Sequence, residues 1–306
     1  MAKCSLTILL GLFAFPSLCF GQASGNIGFS QGSGKAGAEQ NEKAKRALTK
    51  EEMPPTSTST YVEANILMNV PADEYVAVFG VAQEGESVAE CGRKIDVTIK
   101  QFTDELKTLA VADDARFVDF IAQNKIYGFE VTGAIAREKL VGFELKKNVS
   151  IRYKDKLLID KLVIAASHAQ IFDLIKVDYV VSNMDVVHDK LMEEASRIIK
   201  RKASRYEKLL DIKLQPPAQV IAEKSSVYHP TAMYDSYTAF ETEHVSVPAN
   251  RDRLTTQTAR KSRTFFFNGL DADGFDVVVN PVVIEPVVQF TLYLKVKYEV
   301  KQIGAK

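Results

Sequence analysis

The sequence predicts an α+β fold in which antiparallel or mixed sheets pack against a capped helix and a long helix. Three features predict it: strand-like alternation after Tyr61, apolar stripes of helical period at about 87–111 and 184–210, and an alternating final strand. The segments run in the order strands, helix, strands, helix, strand, long helix, strands. With 306 residues, 46% hydrophobic and 25% charged, the chain can bury a core and is not disordered throughout.

The charge balance excludes one class of partner. The 39 basic and 39 acidic side chains cancel, so no long-range field attracts nucleic acid to the chain. Beyond the N-terminus, no stretch approaches the roughly 18 uninterrupted apolar residues that indicate a membrane-spanning helix. We therefore expect no nucleic-acid partner and no later membrane span.

The first 21 residues have the layout of a secretory signal peptide. Lys3 supplies the positive start, and residues 6–20 form a largely apolar run. The small residues Cys19 and Gly21 lie at the positions that precede a cut before Gln22. A retained anchor helix is the alternative, but the run is short for a span and contains a proline. We expect residues 1–21 to be removed and the protein to be periplasmic, with association with the outer membrane left open.

The predicted cleavage determines the cysteine content and the start of the exported chain. Of three cysteines, Cys91 alone would remain, which allows neither an internal disulfide nor a cysteine metal site. Residues 22–60 are rich in Gly, Ser, Gln, Lys and Ala and end in a Pro- and Thr-containing run. Such a segment buries too little apolar surface to fold. We expect a flexible tether over 22–60, followed by an α+β domain over 61–303.

Two alternating segments open the predicted domain. Apolar residues occupy every second position over 62–70 and again over 75–81. The segment Pro71-Ala72-Asp73 lies between them and predicts a turn. Period-two alternation on both sides of a turn predicts an antiparallel pair of strands.

The first helix is predicted over about 87–111. Ser87 and Glu90 form a capping box, and an apolar stripe with steps of three and four follows. Cys91 lies on this stripe. A thiol near a helix N-terminus could be reactive, because the dipole favours the thiolate, but the stripe position favours a small buried core residue. The stripe consists of Val88, Cys91, Ile95, Ile99, Phe102, Leu106 and Leu109.

Short strands and a short helix are predicted in the middle of the chain. Segments 118–121, 126–131 and 143–153 alternate in part and predict short strands. The apolar residues over 157–166 predict a shorter amphipathic helix. A strand over 171–181 follows. It is expected to direct Phe172 and Leu174 inward, and Val177 and Tyr179 are further candidates for that face.

A long helix is predicted over about 184–210, with caps at Ser182 and Asn183. Residues 219–222 predict an edge strand, and 287–300 predict the last strand. Between these two strands, 226–286 is predicted to be a long polar insertion with little periodicity. The apolar face of the long helix comprises Leu191, Ala195, Ile198, Ile199, Ala203, Tyr206 and Leu210.

The order of these segments resembles the SIMPL-domain family. The strand ending in Val81-Ala-Gln-Glu-Gly and the capped helix after it resemble the opening of that family. The middle of the family is matched over 143–179, with the short helix Lys-Leu-Leu-Ile-Asp-Lys-Leu, and its long helix and following strand over 184–222. The stretch Ile284-Glu-Pro-Val and the final strand resemble the closing segment, so the similarity covers about 61–300.

The resemblance implies an exported α+β protein of undefined biochemical activity. It further implies ring- or channel-like oligomers and a loose link to oxidative stress. The tether and the insertion over 226–286 are longer than the family pattern. Both departures put in question whether this chain assembles with the geometry of the family. The family supplies no catalytic residue to carry over to this chain.

No catalytic, cofactor-binding or metal-binding residue is predicted. The histidines at 168, 188, 229 and 244 show no metal-ligand spacing, and no serine lies in a GxSxG motif. Asp185, one turn before His188, could orient its imidazole, although a surface pair on a helix is the commoner arrangement.

The run Asp271-Ala-Asp273-Gly274-Phe-Asp276 resembles part of a calcium loop. Alignment of its glycine with the invariant glycine of an EF-hand puts Gly269 at the first position and Asn280 at the last. Neither residue suits its position in such a loop. We therefore predict a plain Asp/Gly turn.

Two basic clusters are candidates for surface contacts. The cluster on the long helix could meet acidic lipid, or it could be an ordinary solvated helix face. The cluster in the insertion adjoins Phe265-Phe266-Phe267, which invites a nucleic-acid interpretation, but predicted export and neutral net charge favour a subunit contact or local packing. The first cluster comprises Arg197, Lys200, Arg201, Lys202, Arg205 and Lys208; the second comprises Arg251, Arg253, Arg260, Lys261 and Arg263.

The leading functional hypothesis is a non-enzymatic exported protein that forms a homo-oligomer. Aromatic side chains at Tyr234, Tyr237, Phe240 and 265–267 offer apolar material for an interface. A ligand-binding protein or hydrolase with a scattered site is one alternative. A membrane-associated protein that uses the basic face of the long helix is another. No cofactor is expected, and any small-molecule ligand is left open.

Overall fold

The computed structural model describes residues 58–238 and 263–302. Within them the chain forms two four-stranded sheets and a two-stranded hairpin, and the predicted α+β fold is confirmed. The helices of this part are α1 (Val88–Thr108), α2 (Leu158–His168) and α3 (Met184–Leu210). The strands are β1 (Ser59–Val70), β2 (Glu74–Gly85), β3 (Arg116–Thr132), β4 (Ile135–Tyr153), β5 (Asp173–Val180), β6 (Ile212–Tyr228), β7 (Tyr234–Thr238), β8 (Arg263–Phe267), β9 (Val277–Val279) and β10 (Val288–Gln302).

The first sheet has the order β6-β10-β1-β9 and is covered on one face by α3. Its pairs are antiparallel except for β1 and β9, which run parallel. The alternation predicted for the last strand is confirmed, because alternate residues from Val288 to Val296 are buried against the helix. The helix contributes the buried residues Val187, Leu191, Ala195, Ile198, Ile199 and Ala203.

The second sheet has the order β3-β4-β2-β5 and is antiparallel throughout. Helices α1 and α2 pack on it and enclose a separate core. At its centre the rings of Phe79 and Phe102 meet edge to face, 5.3 Å apart between centroids. The apolar stripe predicted for the first helix faces this core, with Cys91, Ile95, Phe102 and Leu106 buried.

The predicted pairing of the first two strands is wrong. β1 pairs with β10 and β9, whereas β2 pairs with β4 and β5 in the other sheet. The segment 71–73 is a crossing between sheets and not a hairpin turn. Each strand alternates because one of its faces is buried, and β10 offers β1 a register of twelve residue pairs.

The short strands predicted over 118–131 and 143–153 are parts of one long hairpin. β3 and β4 pair continuously from Arg116 to the tip, where Thr132 faces Ile135. Gly133 at the tip has φ 61°, a left-handed conformation that glycine adopts without steric cost. Register shifts next to Ile121 and Val141 break the period-two pattern, which is why the sequence suggests separate pieces.

The predicted helix caps form with one difference. Ser87 Oγ accepts a hydrogen bond from Glu90 N at 3.2 Å, and Asn183 Oδ1 accepts one from Val186 N at 3.2 Å. The Glu90 carboxylate, however, accepts from Glu86 N at 3.0 Å, one residue before the cap. Both helices therefore begin where the sequence predicts them to begin.

Several predicted orientations and boundaries differ from the structure. Phe172 is 72% exposed because β5 begins after it, and Ile171 is buried in its place. Leu210 lies in the last turn of α3, beyond the covered face, and is 63% exposed. The predicted edge strand 219–222 is the middle of the longer edge strand β6.

Some predictions concern residues outside the described part of the chain. The predicted signal peptide over 1–21 lies wholly outside it, as does nearly all of the predicted tether over 22–60. In the part of the chain that the structure describes, no helix is both long enough and apolar enough to cross a membrane.

Candidate interaction surfaces

The outer half of the β3–β4 hairpin, residues 125–142, extends beyond the helix-covered part of the second sheet and is called the arm below. β2 pairs with β4 only as far as Phe143, and Cys91 near the start of α1 contacts the Phe143 carbonyl. Beyond that point the two strands pair with each other. A two-stranded ribbon is at best marginally stable in water unless something packs against it.

One face of the arm is apolar. Tyr127 pairs with Leu140, and Val131 pairs with Ala136, so these four side chains share a face. Because side chains alternate along β3, this apolar face of the arm continues the face of the second sheet that α1 covers closer to the core. Phe129 lies at the centre of this face opposite Glu138. The exposed fractions are 54% for Tyr127, 70% for Phe129, 69% for Val131 and 42% for Leu140.

The other face of the arm carries three charged side chains, together with the exposed Ile135, which pairs with Thr132. Lys139 Nζ lies 3.3 Å from a carboxylate oxygen of Glu130, and both side chains are more than half exposed. Arg137 pairs with Glu130 across the strands and lies on the same face. The face around Phe129 is therefore the more apolar of the two faces of the arm.

The two sheets meet at a cluster of tyrosines. The rings of Tyr75 and Tyr153 stack with centroids 5.4 Å apart, and Tyr179 meets Tyr75 edge-on at 5.4 Å. Tyr179 packs against both cores. Burial raises the pKa of Tyr75, Tyr153 and Tyr179, and for Tyr179 a hydrogen bond with Tyr234 adds to the rise. These phenols serve packing and stay neutral near neutral pH.

Exposed apolar side chains flank an ion pair that joins two loops of the chain. Lys156 Nζ is 2.6 Å from Glu285 Oε2, and this ion pair joins the loop after β4 to the loop before β10. Leu157 on the first loop is 68% exposed. On the second, Val282 is 82% and Ile284 94% exposed. Leu157, Val282 and Ile284 are called the junction patch below.

An open cleft of about 560 Å³ lies at the same end of the second sheet. Its charged side chains are arranged in opposed pairs: Lys154 Nζ lies 3.5 Å from Glu74, and Arg152 lies 3.8 Å from Asp114 just outside it. The other lining residues are Ala110, Val111, Ala112, Ala115, Tyr153 and Leu158. The lining holds no histidine, serine or cysteine, and its Lys154 is paired with Glu74.

The aromatic residues predicted for an interface divide into two groups. Tyr234 and Phe267 pack against each other at 6.2 Å between centroids and belong to the structure of the β7–β8 hairpin. Tyr237 and Phe266 are about half exposed, and Phe265 is 36% exposed. Phe240 lies outside the described residues. The hairpin thus offers a smaller apolar surface than the sequence suggests.

The histidines of the described part lie apart from one another. His188 Nε2 is 3.7 Å from Glu223, a residue of β6, and not beside Asp185 as the sequence suggests. His168 is 3.7 Å from Glu105. His244 lies outside the described residues. No group of three or more ligating side chains that could hold a metal ion occurs in the described part.

The run over 271–276 forms a turn whose carboxylates have structural roles. Asp271 Oδ1 accepts from Asp273 N at 3.0 Å, and Gly274 has φ 87°. Asp276 Oδ1 lies 2.5 Å from Lys202 Nζ, and its other oxygen accepts from Asn65 N at 2.9 Å. The last acid therefore ties the turn to α3 and β1.

The basic cluster on the long helix is only partly free. Lys202 is bound to Asp276 and also donates to the Glu63 carbonyl, and Arg197 is paired with Glu194. Of the second cluster, Arg263 is exposed at the start of β8, and the other four residues lie outside the described part. The remaining bases of the helix, Lys200, Arg201, Arg205 and Lys208, are exposed.

The predicted burial of Cys91 is confirmed. Its exposed fraction is 0%, and its Sγ donates a hydrogen bond to the Phe143 carbonyl at 3.2 Å. A Cβ on Gly85 would lie 3.2 Å from the sulfur, which shows how closely the backbone covers it. This thiol is a core residue of the second sheet.

The arm and the junction patch are the features that the sequence analysis missed. Alternation at Tyr127, Phe129 and Val131 is visible in the sequence and predicts a buried face. The two-residue turn at Gly133 could also have been recognised from its glycine. No periodicity accompanies Ile284. Leu157 is predicted to belong to the short amphipathic helix, but that helix begins at Leu158 and Leu157 is 68% exposed.

Two helix-covered sheets that meet at a tyrosine cluster define the class: a two-sheet α+β protein without a recognisable catalytic constellation in the described residues. A family model, SIMPL, described as a protein of unknown function (DUF541), matches residues 61–262. The match spans about two thirds of the chain, and the chain belongs to the SIMPL family. The matched range ends before β8, earlier than the resemblance over 61–300. A comparison with curated proteins found no match.

Proposed function

We propose that the protein is an exported, non-enzymatic protein that self-associates in the periplasm. The exposed apolar face of the arm supports this proposal most directly. Removal of a large apolar side chain from water stabilises an association by about 1.5–3 kcal/mol. Tyr127, Phe129 and Val131 are each more than half exposed in the single chain. Their burial by a second copy would therefore supply a substantial part of the free energy of a stable contact.

Sequence and site support the other parts of the proposal. The first 21 residues have the layout of a signal peptide. Among the described residues, the histidines lie apart, and no histidine, serine or cysteine lines the cleft beside Tyr153. Membership of the SIMPL family extends the proposal to a ring- or channel-like envelope assembly with a loose link to stress response.

Two measurements test the proposal. The full chain is expressed with its own N-terminus, and the mass of the exported product is determined. Export predicts a chain that begins at Gln22 and is recovered from the periplasm. Light scattering of that product at tens of micromolar then gives its molar mass. A monomer at that concentration would refute self-association, and a retained N-terminus in the cytoplasm would refute export.

The exposed bases of α3 support a second candidate, contact with an acidic membrane surface. Lys200, Arg201, Arg205 and Lys208 are exposed towards the helix C-terminus. Flotation with anionic vesicles at low and high salt distinguishes this candidate, because attraction between surface charges weakens as salt rises. Failure to bind the anionic vesicles at low salt would refute this second candidate.

A further inference from the structure

We propose that self-association is head to tail, with the arm of one copy packed on the junction patch of the next. This inference rests on the proposed self-association and names the two surfaces that perform it. Both surfaces are apolar and exposed, and they differ in shape: the arm is a projecting ribbon, whereas the patch lies on two loops that the Lys156–Glu285 ion pair joins.

The two surfaces lie at opposite ends of the same strand. β4 begins in the arm at Ile135 and ends at Tyr153, and Leu157 of the junction patch follows four residues later. A strand of 19 residues is about 60 Å long at 3.3 Å per residue. The arm of one chain therefore cannot reach the patch of the same chain, and contact between them requires a second copy.

The apolar area is suitable for a stable contact. Tyr127 and Phe129 are 54% and 70% exposed. At about 200 Å² for each aromatic side chain, the two rings leave roughly 250 Å² to bury. A specific interface needs about 500 Å² from each partner. Val131 and Leu140 extend the same face of the arm, so the arm approaches that area with its apolar side chains alone.

The charges beside the two surfaces are complementary. Glu138 is the acidic side chain on the apolar face of the arm, opposite Phe129. Lys154, in the loop that leads to Leu157, has a side chain that is 79% exposed and lies 3.5 Å from Glu74. An acid that approaches with the arm can share the exposed Lys154, three residues before Leu157 in the chain, with Glu74, and this attraction orients the two copies.

This geometry has a consequence for the assembly. A contact between two different surfaces leaves one unused arm and one unused patch on every pair, so further copies can add. Such a series either closes into a ring or continues as an open chain. Contact of two arms with each other would instead stop at a dimer.

Two substitutions test the arrangement in the full chain. Phe129→Glu puts a charge in the apolar face of the arm, and Ile284→Glu does the same in the junction patch. Both residues are exposed in the single chain, so each variant is expected to fold, which circular dichroism and thermal unfolding check. Val97→Glu, at a residue of α1 that is 67% exposed, is the matched control and is expected to assemble as the wild type does.

The head-to-tail arrangement makes a specific prediction for a mixture. Each variant alone is expected to be monomeric by light scattering, because one of its two surfaces is lost. Mixed in equal amounts, the two variants are expected to form a dimer of twice the monomer mass and nothing larger. The intact arm of the Ile284→Glu chain binds the intact patch of the Phe129→Glu chain, and no matching surfaces remain.

Other outcomes overturn the inference in distinguishable ways. Assembly of Ile284→Glu alone at the wild-type mass would show that the patch is not used and would favour contact between arms. Assembly of both variants alone, or dissociation of Val97→Glu, would place the interface elsewhere. A monomeric mixture of two monomeric variants would show that arm and patch do not bind each other. A monomeric wild-type chain would refute the proposed self-association itself.

Discussion

Ser182 donates two hydrogen bonds to Asp73, from its hydroxyl at 2.7 Å and from its backbone N–H at 3.0 Å to the same carboxylate oxygen. Asp73 N in turn donates to the Val180 carbonyl at 3.0 Å. Asp73 lies where the chain crosses from β1 to β2, and Ser182 where it returns from β5 to α3. The pair thus holds both crossings between the sheets side by side.

We predict that Asp73→Asn lowers the thermal stability in a pH-dependent manner. The hydrogen bonds from Ser182 lower the pKa of Asp73 below its ordinary value of 3.8. The charged carboxylate therefore favours the folded state above that ordinary value, and the contribution is lost as the pH falls through the lowered pKa. Thermal unfolding of both chains between neutral pH and pH of about 3 should show a Tm difference that shrinks at the acidic end.

Asp178→Asn is the control for this experiment. Asp178 also lies near the contact between the sheets, but its side chain makes an exposed ion pair with Lys176 at 2.7 Å. An exposed pair contributes little to stability. Equal losses in the two variants, or a Tm difference for Asp73→Asn that does not change with pH, would contradict the role assigned to the Asp73–Ser182 contact.

The crossing at Asp73 also shows where sequence analysis fails for this fold. The alternation over 62–70 and 75–81 correctly gives two strands and their buried faces. It cannot give their partners, because pairing depends on β10 and β4, which are distant in sequence. A proline and an aspartate between two strands are equally compatible with a hairpin turn and with a crossing between sheets. Local patterns thus determine the elements and not their pairing.

We predict that Asp276→Ala destabilises the first sheet by about 2 kcal/mol, because it leaves partly buried polar groups without a partner. The carboxylate binds Lys202 at 2.5 Å and accepts from Asn65 N at 2.9 Å. It therefore holds the turn before β9 against α3 and β1. Denaturant unfolding monitored by circular dichroism gives the free energy difference.

Asp273→Ala is the matched control, since Asp273 is exposed in the same turn. Its loss should change the unfolding free energy by less than about 0.5 kcal/mol. If Asp276→Ala is as stable as the control, the contacts of Asp276 with Lys202 and Asn65 do not stabilise the first sheet. An increase in the Tm of the wild type on addition of calcium would instead reopen the calcium-loop interpretation of 271–276.

The candidate surfaces were predictable only in part. Alternation at Tyr127, Phe129 and Val131 predicts a strand with one buried face. Sequence alone cannot show that this face is left uncovered, because that depends on where α1 begins relative to the end of β2. Ile284 becomes part of a surface through the contact of Lys156 with Glu285, residues that are far apart in the chain. The basic residues of α3 show the converse, since Lys202 looked solvated and is bound to Asp276.

We predict that buried tyrosines ionise late in an alkaline titration. Burial raises the pKa of Tyr153 and Tyr179 above the ordinary value of 10.0. The neutral phenols therefore stabilise the folded state. This contribution is complete below the ordinary pKa and is lost as the pH rises towards the raised pKa values. Ultraviolet absorbance should show a late phase from these tyrosines that coincides with loss of circular dichroism.

One variant assigns the late phase of that titration. Tyr179→Phe removes a partly buried phenol and should reduce the late phase, with a lower stability because the hydrogen bond with Tyr234 is lost. A single phase that precedes unfolding would show that the contact between the sheets is open to solvent.

The last prediction concerns the reactivity of Cys91, which is the only cysteine in a chain that begins at Gln22. Redox-sensing thiols are accessible to solvent, whereas Cys91 is fully buried and bonded to the Phe143 carbonyl at 3.2 Å. A thiol reagent should therefore label the native chain slowly and the denatured chain rapidly. Cys91→Ala should lower the unfolding free energy by about 1 kcal/mol, as a small core truncation does, and leave the mass of the assembly unchanged. Native labelling as fast as that of a free cysteine would show that the start of α1 opens readily, and a redox role for this thiol would then need to be considered.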